Sequence, residues 1–134
     1  MTGASFPAVQ LHALLLADHI YQDRESGKYV ISGTFHQLNV AAFPATFPRT
    51  IGLFVSMSGL AGSTDIGISL VDVTTGDTLV STQPLGIRCD SPDAVVSFGV
   101  ELPPLLLPHA GCYHVQLAVN GSVIGHTPVY AIGS

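Results

Sequence analysis

Between Glu101 and Val129 the chain alternates apolar and polar residues in two runs separated by Asn120-Gly121, the pattern of two strands joined by a tight reverse turn. A proline-rich crossing, Pro103 to Pro108, leads through His109-Ala110-Gly111 into a strand from about Cys112 to Val119. The return strand ends near Val129. Tyr113, Val115, Leu117 and Val119 share one parity and are expected in the core, which turns Cys112, His114, Gln116 and Ala118 outward as a row without charge.

The same period of two organises the rest. Ala8 to Tyr21 is predicted as the first strand, with Val9, Leu11, Ala13, Leu15 and Ala17 on one face and Gln10, His12, Leu14, Leu16 and Asp18 on the other. A helical stripe through Leu11, Leu14, Leu15 and Ile20 competes, but the segment runs straight into the polar turn Gln22 to Lys28, which favours a strand. Tyr29 to Val40 follows as the second strand, and Gly33 within it marks a bulge or a close approach. Ala41 to Pro48 is a proline-punctuated crossing between sheets, with Phe43 and Phe47 as anchors over the end of the core. Arg49 to Ser58, Thr64 to Thr74 and Thr78 to Gln83 are the third to fifth strands. Ile51, Leu53, Val55 and Met57 share one face of the third, and Ile66, Ile68, Leu70 and Asp72 share one face of the fourth. Pro84 to Pro92 reads as irregular, which puts Cys89 in a loop, and Asp93 to Leu102 is the sixth strand with Val96, Phe98, Val100 and Leu102 inward. The Leu105-Leu106-Leu107 run admits one helical turn. About eight mostly antiparallel strands predict an all-β domain over 1–134, ordered from about 8 to 130, as a two-sheet sandwich or small barrel. The two proline-rich crossings favour the sandwich, since strands that change sheets need such links.

Composition changes this picture in one respect. Charged residues make up only 10% of the 134 residues, against roughly 25% in ordinary domains. The outside must therefore be built from Ser, Thr, Gly, Gln, Asn, His and apolar side chains, and a surface so poor in charge is expected to be covered by another subunit, a membrane-proximal partner or a carbohydrate, with self-association favoured over an unidentified protein partner. Arg24, Lys28, Arg49 and Arg88 are scattered and the net charge is −5, which disfavours nucleic acid as a partner. Met1 to Pro7 lacks the cations of a leader peptide, and no run reaches the roughly 20 apolar residues of a membrane-spanning helix. A cytoplasmic protein is expected, with Cys89 and Cys112 as reduced thiols.

Candidate chemistry is sparse. His12, His19, His36, His109, His114 and His126 show neither an HxH nor an HxxxH arrangement, so no metal and no cofactor is expected; a cross-strand site would need His36 or His114 opposite another histidine. The serines lack a GxSxG elbow, and Gly59 to Ser63 lacks the lysine of a phosphate loop. Gly62-Ser63-Thr64-Asp65 offers a single carboxylate to calcium. No catalytic residue is assigned. Asp18 is expected to order the first turn through backbone N–H groups, and Tyr113 to close a tyrosine corner. Tyr21, Tyr29, Phe43 and Phe54 are the aromatics available to a carbohydrate-binding module.

The stretches LLLADHIYQDRESGKYVISGTFHQL, AFPATFPR and PHAGCYHVQLAVNGSVIGHTPV together resemble a family of small bacterial domains of unknown function. The resemblance covers almost the whole chain and implies an immunoglobulin-like β-sandwich with no established activity. Its recurring positions would be Asp18, Gly27, Lys28, Gly33, Phe35, Phe43, Pro44, Gly111, Tyr113 and Gly121, and Ala110-Gly111-Cys112 departs from the commoner Pro-Gly-x of the closing motif. Two functions follow as expectations: a non-enzymatic interaction domain that self-associates through a charge-poor surface, or a module for carbohydrate or another small ligand.

Overall fold

The computed structural model describes residues 9–133. Its elements in chain order are β1 (Gln10–Gln22), β2 (Tyr29–Thr34), β3 (Gln37–Val40), β4 (Ala45–Thr46), β5 (Ile51–Ser58), β6 (Gly62–Asp72), β7 (Thr78–Ser81), β8 (Leu85–Cys89), β9 (Val96–Leu102), β10 (Leu106–Leu107), β11 (Gly111–Val119) and β12 (Ser122–Gly133). The chain is all-β and mostly antiparallel. One sheet runs β2-β1-β5-β9, a second runs β3-β12-β11-β6-β7 with β8 following β7 along the same edge of β6, and β4 pairs with β10. β3 joins β12 in parallel. The expected starts at Met1 to Ala8 lie outside the described residues.

Periodicity placed the core correctly where strands are long. Ile51, Leu53, Val55 and Met57 of β5, Ile66, Ile68 and Leu70 of β6, and Tyr113, Val115, Leu117 and Val119 of β11 are all buried in one cluster shared by the two main sheets. In β1 the pairing with β5 slips between Leu11 and Ala13, a bulge at His12 that moves one residue out of the alternation. Leu11 therefore packs on the core from one parity while Leu14 and Leu16 enter it from the other.

Four expectations require correction. Twelve strands, two of them only two residues long, are present among the described residues rather than about eight. Tyr29 to Val40 is two strands in different sheets: Gly33 at φ 75° turns the chain, and β3 leaves β1 to pair with β12. Pro84 to Pro92 is not irregular, because Leu85 to Cys89 pairs with Gly62 to Ile66 of β6, and Cys89 is buried at a strand end. Leu106 and Leu107 form β10 instead of a helical turn, with Leu107 fully buried and β10 paired to the Ala45–Thr46 step of the proline crossing.

The turn at the tip of β11 and β12 has two residues, Asn120 at φ 49° and Gly121 at φ 86°, the pair of positive values a type I′ hairpin requires. The Asn120 side-chain oxygen also accepts the Asp65 backbone N–H at 3.0 Å, tying the turn to β6.

The outer half of the β1/β2 hairpin bends over the outward face of β5 and β9. Ile20 rests where Gly52 and Gly99 have no side chain; an added Cβ would stand 2.9 and 2.8 Å from its atoms. Gly99→Val is accordingly expected to lift Ile20 and lower the unfolding midpoint measured by calorimetry.

Candidate functional site

Two polar constructions stand out, one inside an edge of the fold and one on an open face. The first is centred on Tyr113, wholly buried at the start of β11. Its hydroxyl donates to the His109 carbonyl at 2.6 Å and accepts the His109 N–H at 3.1 Å, closing the loop that enters the strand. Gly111, at φ 146°, lets the chain turn from that loop into β11. Burial pushes the Tyr113 phenol up from its ordinary value, so it stays a donor across the physiological range. Tyr113→Phe removes both bonds and is expected to cost about 1–2 kcal/mol of unfolding free energy in denaturant titration; unchanged stability would remove this role.

His109 completes the cluster. Its Nε2 donates to the buried Asp72 carboxylate at 2.6 Å, its Nδ1 donates to the Ala110 carbonyl at 2.7 Å, and its ring stacks on Tyr113 with centroids 5.5 Å apart. Asp72 has the core-facing parity of β6, so its carboxylate must find a partner, and it also accepts the Thr74 N–H at 2.9 Å. The Ala110 carbonyl, then the Asp72 carboxylate, raise the His109 pKa above 6.5 against the opposing effect of burial. Burial by itself would raise Asp72, but the hydrogen bond from His109 and those from Thr74 and Thr75 together take it below 3.8. Both ring nitrogens of the imidazolium are engaged, which leaves neither free to take a proton from a substrate.

A pH window follows from these directions. The raised His109 pKa stabilises the fold below 6.5, and that contribution disappears as pH rises through the folded-state value. The lowered Asp72 pKa stabilises above 3.8, and that contribution disappears as pH falls through its folded-state value. The stability difference between wild type and His109→Gln, followed by thermal melts, is expected to be greatest between these two pH values and to shrink on either side.

The second construction is the outward face of β12, β11 and β6. Cys112, His114, Gln116 and Ala118 stand half-buried along β11. Tyr130 lies opposite Cys112, Pro128 opposite His114 and His126 opposite Gln116, while β6 presents Val71, Ser69 and Gly67 to the other side of the row. Gln37 and Asn39 of β3 extend the face beyond Tyr130 and Ile132. None of these positions is Lys, Arg, Asp or Glu, and Asp65, the next outward position of β6, stands exposed at the end of the row. Val73, Val123, Tyr130 and Ile132, between 42% and 57% exposed, add large apolar side chains to it. In the middle, the His114 and His126 rings stack with centroids 3.8 Å apart and planes 14° from parallel. Burial, and after it the electrostatic influence of the neighbouring His126 ring, holds His114 below 6.5.

The remaining sequence candidates are dispersed. Asp18 does not order the first turn; Asp23 does, accepting the Ser26 N–H and hydroxyl at 2.9 and 2.6 Å, while Asp18 faces Arg49 at 4.0 Å and fills the space over Gly33. The cause is length: β1 runs on to Gln22, which carries Asp18 away from the turn it was expected to bind. Tyr29 and Phe54 lean on each other at 57°, and Tyr29 pairs with Gln22, so Tyr21 points to the opposite face of the hairpin. The three rings do not form one flat platform for a sugar. Tyr21 instead borders an open cleft of about 980 Å³ with Asp18, His19, Arg49, Thr50 and Glu101 on its walls. Cys89 and Cys112 are free thiols at opposite ends of β6, roughly 35 Å apart by strand rise. Among the described residues no three His, Cys, Asp or Glu gather as metal ligands, and no helix is long and apolar enough to cross a membrane.

Sequence reasoning missed the Asp72–His109 pair. The available signal was an Asp at a core parity of β6, which cannot be buried alone.

Comparison with known families decides the relationship. A family model described as a family of unknown function, DUF6941, matches residues 12–132. The chain belongs to that family. The match spans both polar constructions, from β1 through Ile132 of the outward face. No curated protein matches the sequence. Among solved structures, the Pseudomonas fluorescens alkylpurine DNA glycosylase AlkC bound to DNA containing an abasic site analog is similar over 92% of this chain, with a TM-score of 0.50 and 11% identity. The chain spans only 30% of that protein's length, and the likeness is one of fold alone.

Proposed function

We propose that the chain is an immunoglobulin-like β-sandwich acting as a non-enzymatic interaction domain, which pairs with a second copy of itself through the outward face of β12, β11 and β6. The observation that carries this reading is the charge-poor, partly apolar surface of that face, with Asp65 at the end of its β6 row, on a chain of net charge −5. Like-charged copies repel wherever their carboxylates meet, so an uncharged face is where two copies approach at least cost. Three strands spaced about 4.8 Å apart, along the roughly 30 Å of β11, with the four-residue β3 beside them, give a footprint of about 500 Å². That is somewhat over half of the approximately 800 Å² of accessible surface per partner in a standard interface. A strongly charged partner would find no complement here.

The two main sheets around one core, the proline crossings and the buried tyrosine corner support the immunoglobulin-like assignment. The commitment of both His109 nitrogens argues against an acid–base enzyme at the Asp72–His109 cluster. Two unpaired thiols fit a reducing compartment such as the cytoplasm. A small-ligand module would use the open cleft beside Tyr21, whose walls carry Arg49, His19 and Glu101.

Cys112 sits in the proposed interface and provides the test. Its labelling by a thiol reagent is expected to slow as protein concentration rises and copies pair. Labelling at a rate independent of concentration would count against pairing through this face.

A further inference from the structure

We propose that His114 and His126 are two ligands of a divalent transition-metal site that is completed by the same two residues of a second copy. This deepens the interaction reading and rests on it.

The two imidazoles come from adjacent strands and project from the same side of the sheet, stacked with centroids 3.8 Å apart. Each therefore sits where its partner's ring nitrogens are close at hand. Ring rotation about χ2 is a soft, roughly two-fold torsion, and turning both rings edge-on to one point converts the stack into a chelating pair. Imidazole nitrogen is a preferred donor for zinc, copper and nickel. Two donors leave a tetrahedral zinc half-satisfied, which needs four at about 2.0–2.1 Å for nitrogen. A single chain supplies no third: among the described residues no three ligating side chains gather. The site is incomplete without another copy.

The proposed interface provides that copy. Sheets that pack face to face lie about 10 Å apart, so a metal at the midplane stands about 5 Å from either backbone plane, within the length of a histidine side chain. A two-fold axis through the ion would place two imidazoles above and two below it, four nitrogens in all. The surroundings suit a cation that brings its own charge. The groups facing the pair are Cys112 and Gln116 on β11, Pro128 and Tyr130 on β12, Ser69 and Val71 on β6, and none is a lysine or arginine that would repel it.

The test uses the intact chain with zinc chloride as the probe. Sedimentation equilibrium in excess chelator first reports whether two copies pair without metal, which judges the interaction reading separately. Zinc is then expected to tighten the pairing by roughly tenfold or more, with one ion bound for every two chains by titration calorimetry. His126→Asn, at an exposed position, should keep the fold and abolish the zinc effect, and His114→Asn should do the same. One zinc per chain without tighter pairing, or a zinc effect that survives both substitutions, would overturn the shared site.

Discussion

Truncating Leu53 to alanine is expected to lower the unfolding free energy by about 2–5 kcal/mol, the largest single effect predicted for this fold. Leu53 is completely buried in β5, the strand between β1 and β9, where it lies opposite Leu16 on one side and Val100 on the other. Neighbours from both sheets surround it, so none can move in without leaving its own partner, and the vacated space stays a cavity. A domain of this size has a total stability on the order of 5–15 kcal/mol, so the substitution removes a large share of it. Chemical denaturation should show a lower midpoint at an unchanged slope. A loss below 1 kcal/mol would mean that the two sheets do not pack as described.

The second large effect concerns pairing. Ala118→Arg is expected to separate the copies, weakening association by roughly a hundredfold, which corresponds to about 3 kcal/mol. Ala118 faces outward, and its neighbour across β6 is Gly67, whose added Cβ would stand 4.0 Å from that of Ala118. An arginine therefore has room in the single chain, and the thermal midpoint of the dissociated protein should not fall. Between two copies it would bring a bulky charge into a face whose nearest carboxylate, Asp65, lies two residues along β6 from Gly67, and burying either charge between the copies is costly. A variant that pairs as tightly as wild type would move the interface elsewhere.

Long strands with one buried side were legible in the sequence because their alternation is a local property. Ile51 to Met57, Ile66 to Leu70 and Tyr113 to Val119 went inward as their parity required. Asn120-Gly121 was legible for a different reason, since few residue pairs accept two positive φ values in succession. The split of Tyr29 to Val40 was not, because the alternation continues through the point where the chain changes sheets and periodicity does not report which strand is the partner. β8 was hidden for a related reason. Gly86 and the prolines flanking the strand interrupt its pattern, and the pairing with β6 that orders it is set by residues 19 to 27 positions away.

The same distinction applies to the sites. The outward row of β11 could be read directly from its parity, whereas its meaning depends on Tyr130, His126 and Val71, which only the sheet order places beside it. The bond between Asp72 and His109 joins residues on either side of four intervening strands. Tyr113 could be placed at a corner from its position after the turn, but the second hydrogen bond, from the His109 N–H, depends on the loop closing back over the ring.

Pairing of two copies through the charge-poor face is the central claim, and mass in solution tests it most directly. Sedimentation equilibrium across a dilution series, in chelator so that metal plays no part, is expected to approach twice the 13.9 kDa chain mass at high concentration and to fall toward that mass on dilution. Ala118→Arg should remain at the lower value throughout. A wild-type chain of 13.9 kDa at every concentration would contradict the account.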